Sequence, residues 1–216
     1  MKTLNIIPIL VALLALLLSM AANANDKYTE LMKKNIQAVY AAKTVDEIQS
    51  SVNTFERIGE AEKTQWEPYY YAAYGQLMIA LRQSDPGKKD GYLDQALRSI
   101  EKAKVINSAE SEIIALEGFV HMIRVTVDPA SRGQQYSGMA MQVFGQALSI
   151  NPENPRALAL LAQMQYGTAQ FFGSSTAEAC DTLNKALEKF ASYKSENPLA
   201  PVWGKPMAEG LKAKCN

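Results

Sequence analysis

The side chains best able to do chemistry in this chain are few and scattered. His121 is the only histidine, and Cys180 and Cys215 are the only cysteines. A Ser/His/Asp arrangement would have to run through His121, and no G-x-S-x-G, H-E-x-x-H, phosphate-loop or G-x-G-x-x-G pattern occurs. One histidine and two distant cysteines do not complete a tetrahedral metal set. His121 therefore reads as a packing or hydrogen-bonded histidine. No catalytic residue, metal or cofactor is assigned, and binding is the expected class of function.

The densest feature is Trp66-Glu-Pro-Tyr-Tyr-Tyr-Ala-Ala-Tyr74. On a helix Tyr70 and Tyr74 share a face, with Tyr69 and Tyr71 flanking it. Two readings stand: packing between neighbouring helices, or a stacking wall for a peptide, sugar or other ring. Asp128 and Arg132, one turn apart, form either a helix cap with an ion pair or, with Tyr136, a rim over a binding face. Phe171-Phe-Gly-Ser-Ser175 reads as a helix-ending turn, with a small backbone anion nest as the alternative.

The elements that must position these groups begin after a leader. Lys2 precedes an apolar run, Ile6 to Leu18, broken by Pro8, and Ala22-Asn-Ala24 fits a small-x-small cleavage site. The run is shorter than the roughly 20 residues of a spanning helix, and no basic stop-transfer cluster follows. Residues 1–24 are expected to be a signal peptide cleaved after Ala24, leaving 25–216 as one domain. Removing Lys2 leaves 21 basic and 22 acidic side chains, a balance that gives no electrostatic footprint for nucleic acid or an anionic membrane. In an exported chain two cysteines pair. A reactive thiol would want a nearby histidine or a C-x-x-C setting. The expected disulfide, Cys180–Cys215, would tie the last residues onto the helix carrying Cys180.

No run alternates with period two, so the chain reads as all-α. Tyr28, Leu31, Met32, Ile36, Val39 and Tyr40 stripe a first helix, and Thr44-Val-Asp-Glu47 matches a capping box opening a second. Pro68 suits a first helical turn. Asp85 to Gly91 is a loop by composition, before a helix from Tyr92 to Ile106. Ser108 or Ser111 would cap the next helix. Asp128-Pro129 starts another that Gly133 interrupts before Ser137 to Ile150. Asn154-Pro155 starts a further helix, and Ser175-Thr-Ala-Glu178 is a second capping box. The pattern gives four hairpins, 25–64, 66–107, 108–151 and 154–192, then a proline-rich tail and closing helix at 193–216.

Three second helices repeat one spacing: Ala96/Ile100/Ala103, Ala140/Phe144/Ala147 and Ala179/Leu183/Ala186. With Gly75 and Gly118 in the first helices, residues 66 to 190 resemble the tetratricopeptide family, which implies a TPR-like α-α superhelix. The repeats run long, at 44 and 39 residues against the family's roughly 34. The excess falls between the two helices of each hairpin, either as an elaborated rim or as longer helices with solvated turns. The whole chain is also similar to small exported TPR-like proteins of Gram-negative bacteria, through Trp66 to Tyr74, Asp128-Pro-x-x-Arg132, Asn154-Pro-Arg156 and Phe172-Gly173. That resemblance implies the fold and a periplasmic location and carries no activity. Family groove positions map onto Tyr69, Gln76, Glu112, Phe119, Met122, Arg156, Gln163 and Tyr166. The expected function is a non-catalytic periplasmic scaffold holding a protein or peptide in that groove. The alternative is a small-ligand receptor lined by Trp66, Tyr70 and Tyr74 and closed by Asp128, Arg132 and Tyr136. Neither reading involves nucleic acid or membrane insertion of the cleaved chain, and oligomeric state is left open.

Overall fold

A helix start exposes amides that need partners, and at five starts in this chain a nearby side chain meets them and helps fix where the helix begins. A computed structural model describes residues 26–215; the expected signal peptide, 1–24, lies outside them. The helices are α1 (26–41), α2 (Val45–Ala61), α3 (Glu67–Leu81), α4 (Pro86–Ile106), α5 (Ser111–Val125), α6 (Pro129–Ile150), α7 (Pro155–Phe172), α8 (Ala177–Ser192) and α9 (Lys205–Lys212). Among the described residues there is no strand, and no helix is long and apolar enough to cross a membrane.

Thr44 forms the capping box with Glu47, Asp128 accepts from the Ser131 amide, and Asn154 accepts from the amides of Arg156 and Ala157. Four boundaries differ from the sequence reading. Asp85 accepts from the Lys88 amide and Pro86 occupies the first turn, so α4 begins inside the expected loop. Gly91 and Gly133 are carried through by turns on either side, and α6 runs unbroken for 22 residues. Glu110 caps α5, which frees the Ser111 hydroxyl to donate to the Ala147 carbonyl. The box expected at Ser175 does not close; Ser175 accepts from the Ala177 amide alone. The extra residues of the repeats therefore lengthen α4 and α6, and the turns stay short.

Consecutive helices pack as antiparallel hairpins, with α3 against α4, α5 against α6 and α7 against α8. Among the first helices, α5 touches both α3 and α7. The repeated small and large residues of α4, α6 and α8 are all buried, and their small members let the backbones approach. Gly75 and Gly118 show how closely: an added Cβ would lie 2.5 Å from Val52 and 2.4 Å from the Phe144 ring. Cys180 and Cys215 are joined, 35 residues apart in sequence, with Cα atoms 5.6 Å apart, which holds α9 and the chain end against α8.

Gly118→Ala is expected to lower stability by roughly 1–3 kcal/mol, because Phe144 has no room to yield in a packed core. Gly133→Ala, whose added methyl meets nothing within 4 Å, is expected to be neutral or stabilising by about 0.5–1 kcal/mol. Urea melts of the two variants check the contrast.

Candidate functional site

Two ionisable side chains are buried on the face made by the first helices, and each depends on the other. Arg156, in the first turn of α7, donates through Nε to Glu112 Oε2 at 2.6 Å and through Nη2 to Oε1 at 2.8 Å. Their side chains are 1% and 9% exposed. Burial works against the guanidinium charge, but the bidentate carboxylate outweighs it and holds the Arg156 proton well above its ordinary value. The remaining Nη1 donates to the Trp203 carbonyl at 3.3 Å, and the Tyr193 ring lies 4.5 Å from the guanidinium carbon.

Trp203 and Tyr193 belong to the segment that joins α8 to α9, here termed the strap. It crosses α7, α3 and α5 without helical structure between Tyr193 and Gly204. Asn197 donates to Glu67 at 3.0 Å, the Tyr71 hydroxyl donates to the Leu199 carbonyl at 2.7 Å, and the Trp203 indole donates to the Tyr70 hydroxyl at 2.9 Å. The Trp203 ring stacks on Tyr74 and on Phe119, each at 5.7 Å between centroids, within the usual range for aromatic pairs. Tyr40 and Phe55 close the far side around Tyr71. Loss of hydration on burial pushes the hydroxyls of Tyr70, Tyr71 and Tyr74 above the ordinary tyrosine value, so they stay neutral, and those of Tyr70 and Tyr71 hydrogen-bond to the strap. The result is an aromatic trough filled by the chain's own tail. A narrow crevice remains beside it, lined by Arg156, Gln163, Trp203 and Met207 among others.

A second polar group sits where α4, α5 and α6 meet. Arg124 pairs with Asp94 at 2.5 Å, and Arg132 pairs with Asp90 at 2.5 Å. The Tyr136 ring stacks on His121 and faces the Arg124 guanidinium. Nδ1 of His121 is buried with no hydrogen-bond partner among the described residues. Loss of hydration, then Arg124 and Lys104, lower the His121 pKa from 6.5.

No family model matches the sequence, and no curated protein does. Among solved structures, the HusA haemophore from Porphyromonas gingivalis matches with a TM-score of 0.78 and 29% identity, over 87% of this chain and 92% of that one. TTC0263, a thermophilic TPR protein of Thermus thermophilus, matches with a TM-score of 0.52 and 14% identity, over 91% of this chain and 94% of that one. The chain has a TPR-like helical-repeat fold.

The TPR-like register does not put all the expected groove residues on one open face. Tyr69 and Gln76 are buried toward α2 and α4: the Tyr69 hydroxyl donates to Glu60, and Gln76 bonds Glu56 and Ser99. Glu112, Phe119 and Arg156 lie beneath the strap, and Met122 is buried. Gln163 is exposed beside the crevice. Tyr166 covers the chain end, its hydroxyl donating to the Lys214 carbonyl at 3.4 Å. In this structure the strap lies over part of that face, its aromatic and carbonyl groups meeting Tyr70, Tyr74, Phe119 and Arg156. The residues of the expected tyrosine pocket fall into two separate groups. Trp66 packs edge-on to Tyr70 and Tyr74 stacks under Trp203, while Asp128 caps α6 and Arg132 and Tyr136 join the polar group at α4–α6. No ring contact, ion pair or hydrogen bond connects the two sets among the described residues. The residue that sequence reasoning missed is Trp203. Its signal was an indole in Pro201-Val-Trp203-Gly204, a stretch with no helical period of its own.

Glu112→Gln leaves the buried Arg156 charge without its carboxylate and is expected to cost about 3–5 kcal/mol, whereas Glu112→Leu with Arg156→Leu together cost less; denaturant melts of the two compare them. For His121 the unfolded chain, with an ordinary pKa near 6.5, binds a proton the folded chain excludes. Its stability contribution is therefore present above pH 6.5 and lost as pH falls through the lowered folded value. Melting curves between pH 7.5 and 5.5 are expected to show a decline that His121→Phe reduces.

Proposed function

We propose that this chain is a non-catalytic periplasmic helical-repeat protein that captures a flat, carboxylate-bearing ring of the tetrapyrrole class on its first-helix face. The likeness to a protein titled a haemophore, at 29% identity over 87% of this chain, carries the reading. The aromatic lining of that face supports it, since extended rings bury large areas against tyrosine, tryptophan and phenylalanine. The Cys180–Cys215 disulfide supports an oxidising compartment outside the cytoplasm.

A second reading, a protein partner bound through a peptide, draws on one observation. The strap itself lies in the trough as a non-helical segment held through two of its carbonyls and one indole, so the face accepts polypeptide.

Haem titrated into the purified chain 25–216 separates the two. Capture is expected to shift the Soret band saturably at one equivalent, with a Kd on the order of 1 μM or tighter, about 8 kcal/mol. No spectral change up to tens of micromolar would remove the tetrapyrrole reading and leave the peptide reading standing.

A further inference from the structure

We propose that the slot between Tyr74 and Phe119 is the ring-binding site itself, and that Trp203 occupies it as a built-in surrogate which the ligand displaces. The proposal rests on the capture reading above and adds a location, a chemistry and an access control to it.

The observations behind it concern what Trp203 uses. Its ring stacks against two aromatic neighbours, Tyr74 and Phe119, each with centroids 5.7 Å away. Its N–H donates to the Tyr70 hydroxyl, and its carbonyl accepts from Arg156 Nη1. This is a complete recognition set for a planar conjugated ring bearing an anionic or carbonyl oxygen at its edge. When Trp203 leaves, the Tyr70 hydroxyl and Arg156 Nη1 both become available, one to the ring edge and one to a carboxylate. Arg156 keeps its two bonds to Glu112, so displacement leaves no buried charge unpaired. The slot is therefore organised before the ligand arrives.

The strap is also built to lift. It carries no helix between Tyr193 and Gly204, and Val202, beside the anchor, is 71% exposed. Gly204 stands at φ 104° where the strap turns into α9, a conformation open to glycine at little cost. An added Cβ there would lie 3.0 Å from Arg156 and from Phe190, so the turn lies directly over the buried pair. Both ends of the strap are fixed: one continues from α8, and the other runs through α9 to Cys215, bonded back to Cys180 on α8. A tethered occupant competes with every free ligand, and the apparent affinity falls by the fraction of molecules whose slot is open. The disulfide helps set that fraction.

The test is a fluorescence titration of protoporphyrin IX, the metal-free ring, into chain 25–216. Wild type is compared with Trp203→Ala and with Cys180→Ser/Cys215→Ser, each checked for helical circular dichroism and a cooperative melt. Trp203→Ala is expected to tighten binding at least about tenfold by emptying the slot. The double serine variant keeps every slot residue and is expected to tighten binding by a smaller factor. Adding Phe119→Ala to Trp203→Ala is expected to abolish the gain by removing one wall. Unchanged or weaker binding in Trp203→Ala, with wild type still binding, overturns the slot and leaves the capture reading intact. Absence of binding in all variants overturns both. If Trp203→Ala does not fold, the double serine variant decides: tighter binding supports the surrogate, and unchanged binding overturns it.

Discussion

The structure depends on one buried ion pair, Arg156 with Glu112. Two opposite charges removed from water persist only if each remains matched, and the match here is bidentate. This requirement joins α5 to α7 at a set register, because the guanidinium and the carboxylate meet at only one position along the two helices. It also leaves one guanidinium donor to be satisfied from elsewhere. The Trp203 carbonyl satisfies it, so the pair holds the tail of the chain as well as the helices.

From that third bond follows the shape of the first-helix face. In an α-α superhelix the first helices converge on a concave surface where partners are held, and in this chain the tail is already lying there. Tyrosine hydroxyls that would otherwise face a dry groove find acceptors or donors on Leu199 and Trp203. The disulfide keeps the end of the tail close to α8, so the segment would stay near the trough if Trp203 left it. A closed face of this kind costs affinity for a ligand. In return it hides an aromatic surface that, left open, would be a large exposed apolar patch.

Much of this was legible in the sequence, and the rest was not for identifiable reasons. The small and large residues of α4, α6 and α8 recur at helical spacing, so their stacking could be read directly. Asp128 and Asn154 stand before prolines and cap as such residues do. The start of α4 is hidden in the sequence because Pro86, Gly87 and Gly91 signal a loop locally, whereas the Asp85 cap and Pro86 in the first turn overrule them. The burial of Tyr70, Tyr71 and Tyr74 was undecided from spacing alone, since Tyr71 lies off the helix face that Tyr70 and Tyr74 share. What covers them comes from about 130 residues away, as in the Trp203–Tyr70 bond, and carries no periodic signature. Pairings between irregular segments and distant helices are contacts that local patterning does not encode.

The claim at the centre of this account is that Trp203 fills the ligand's place. Its indole Nε1–H offers a direct observation by two-dimensional nitrogen–proton NMR, with Trp66, the other of the chain's two tryptophans, as the internal reference. Adding protoporphyrin IX until the protein is saturated should move the Trp203 indole resonance and speed its exchange with water, as the bond to Tyr70 is lost, while Trp66 changes less. A saturated complex in which the Trp203 indole signal keeps its position and its protection would contradict the account.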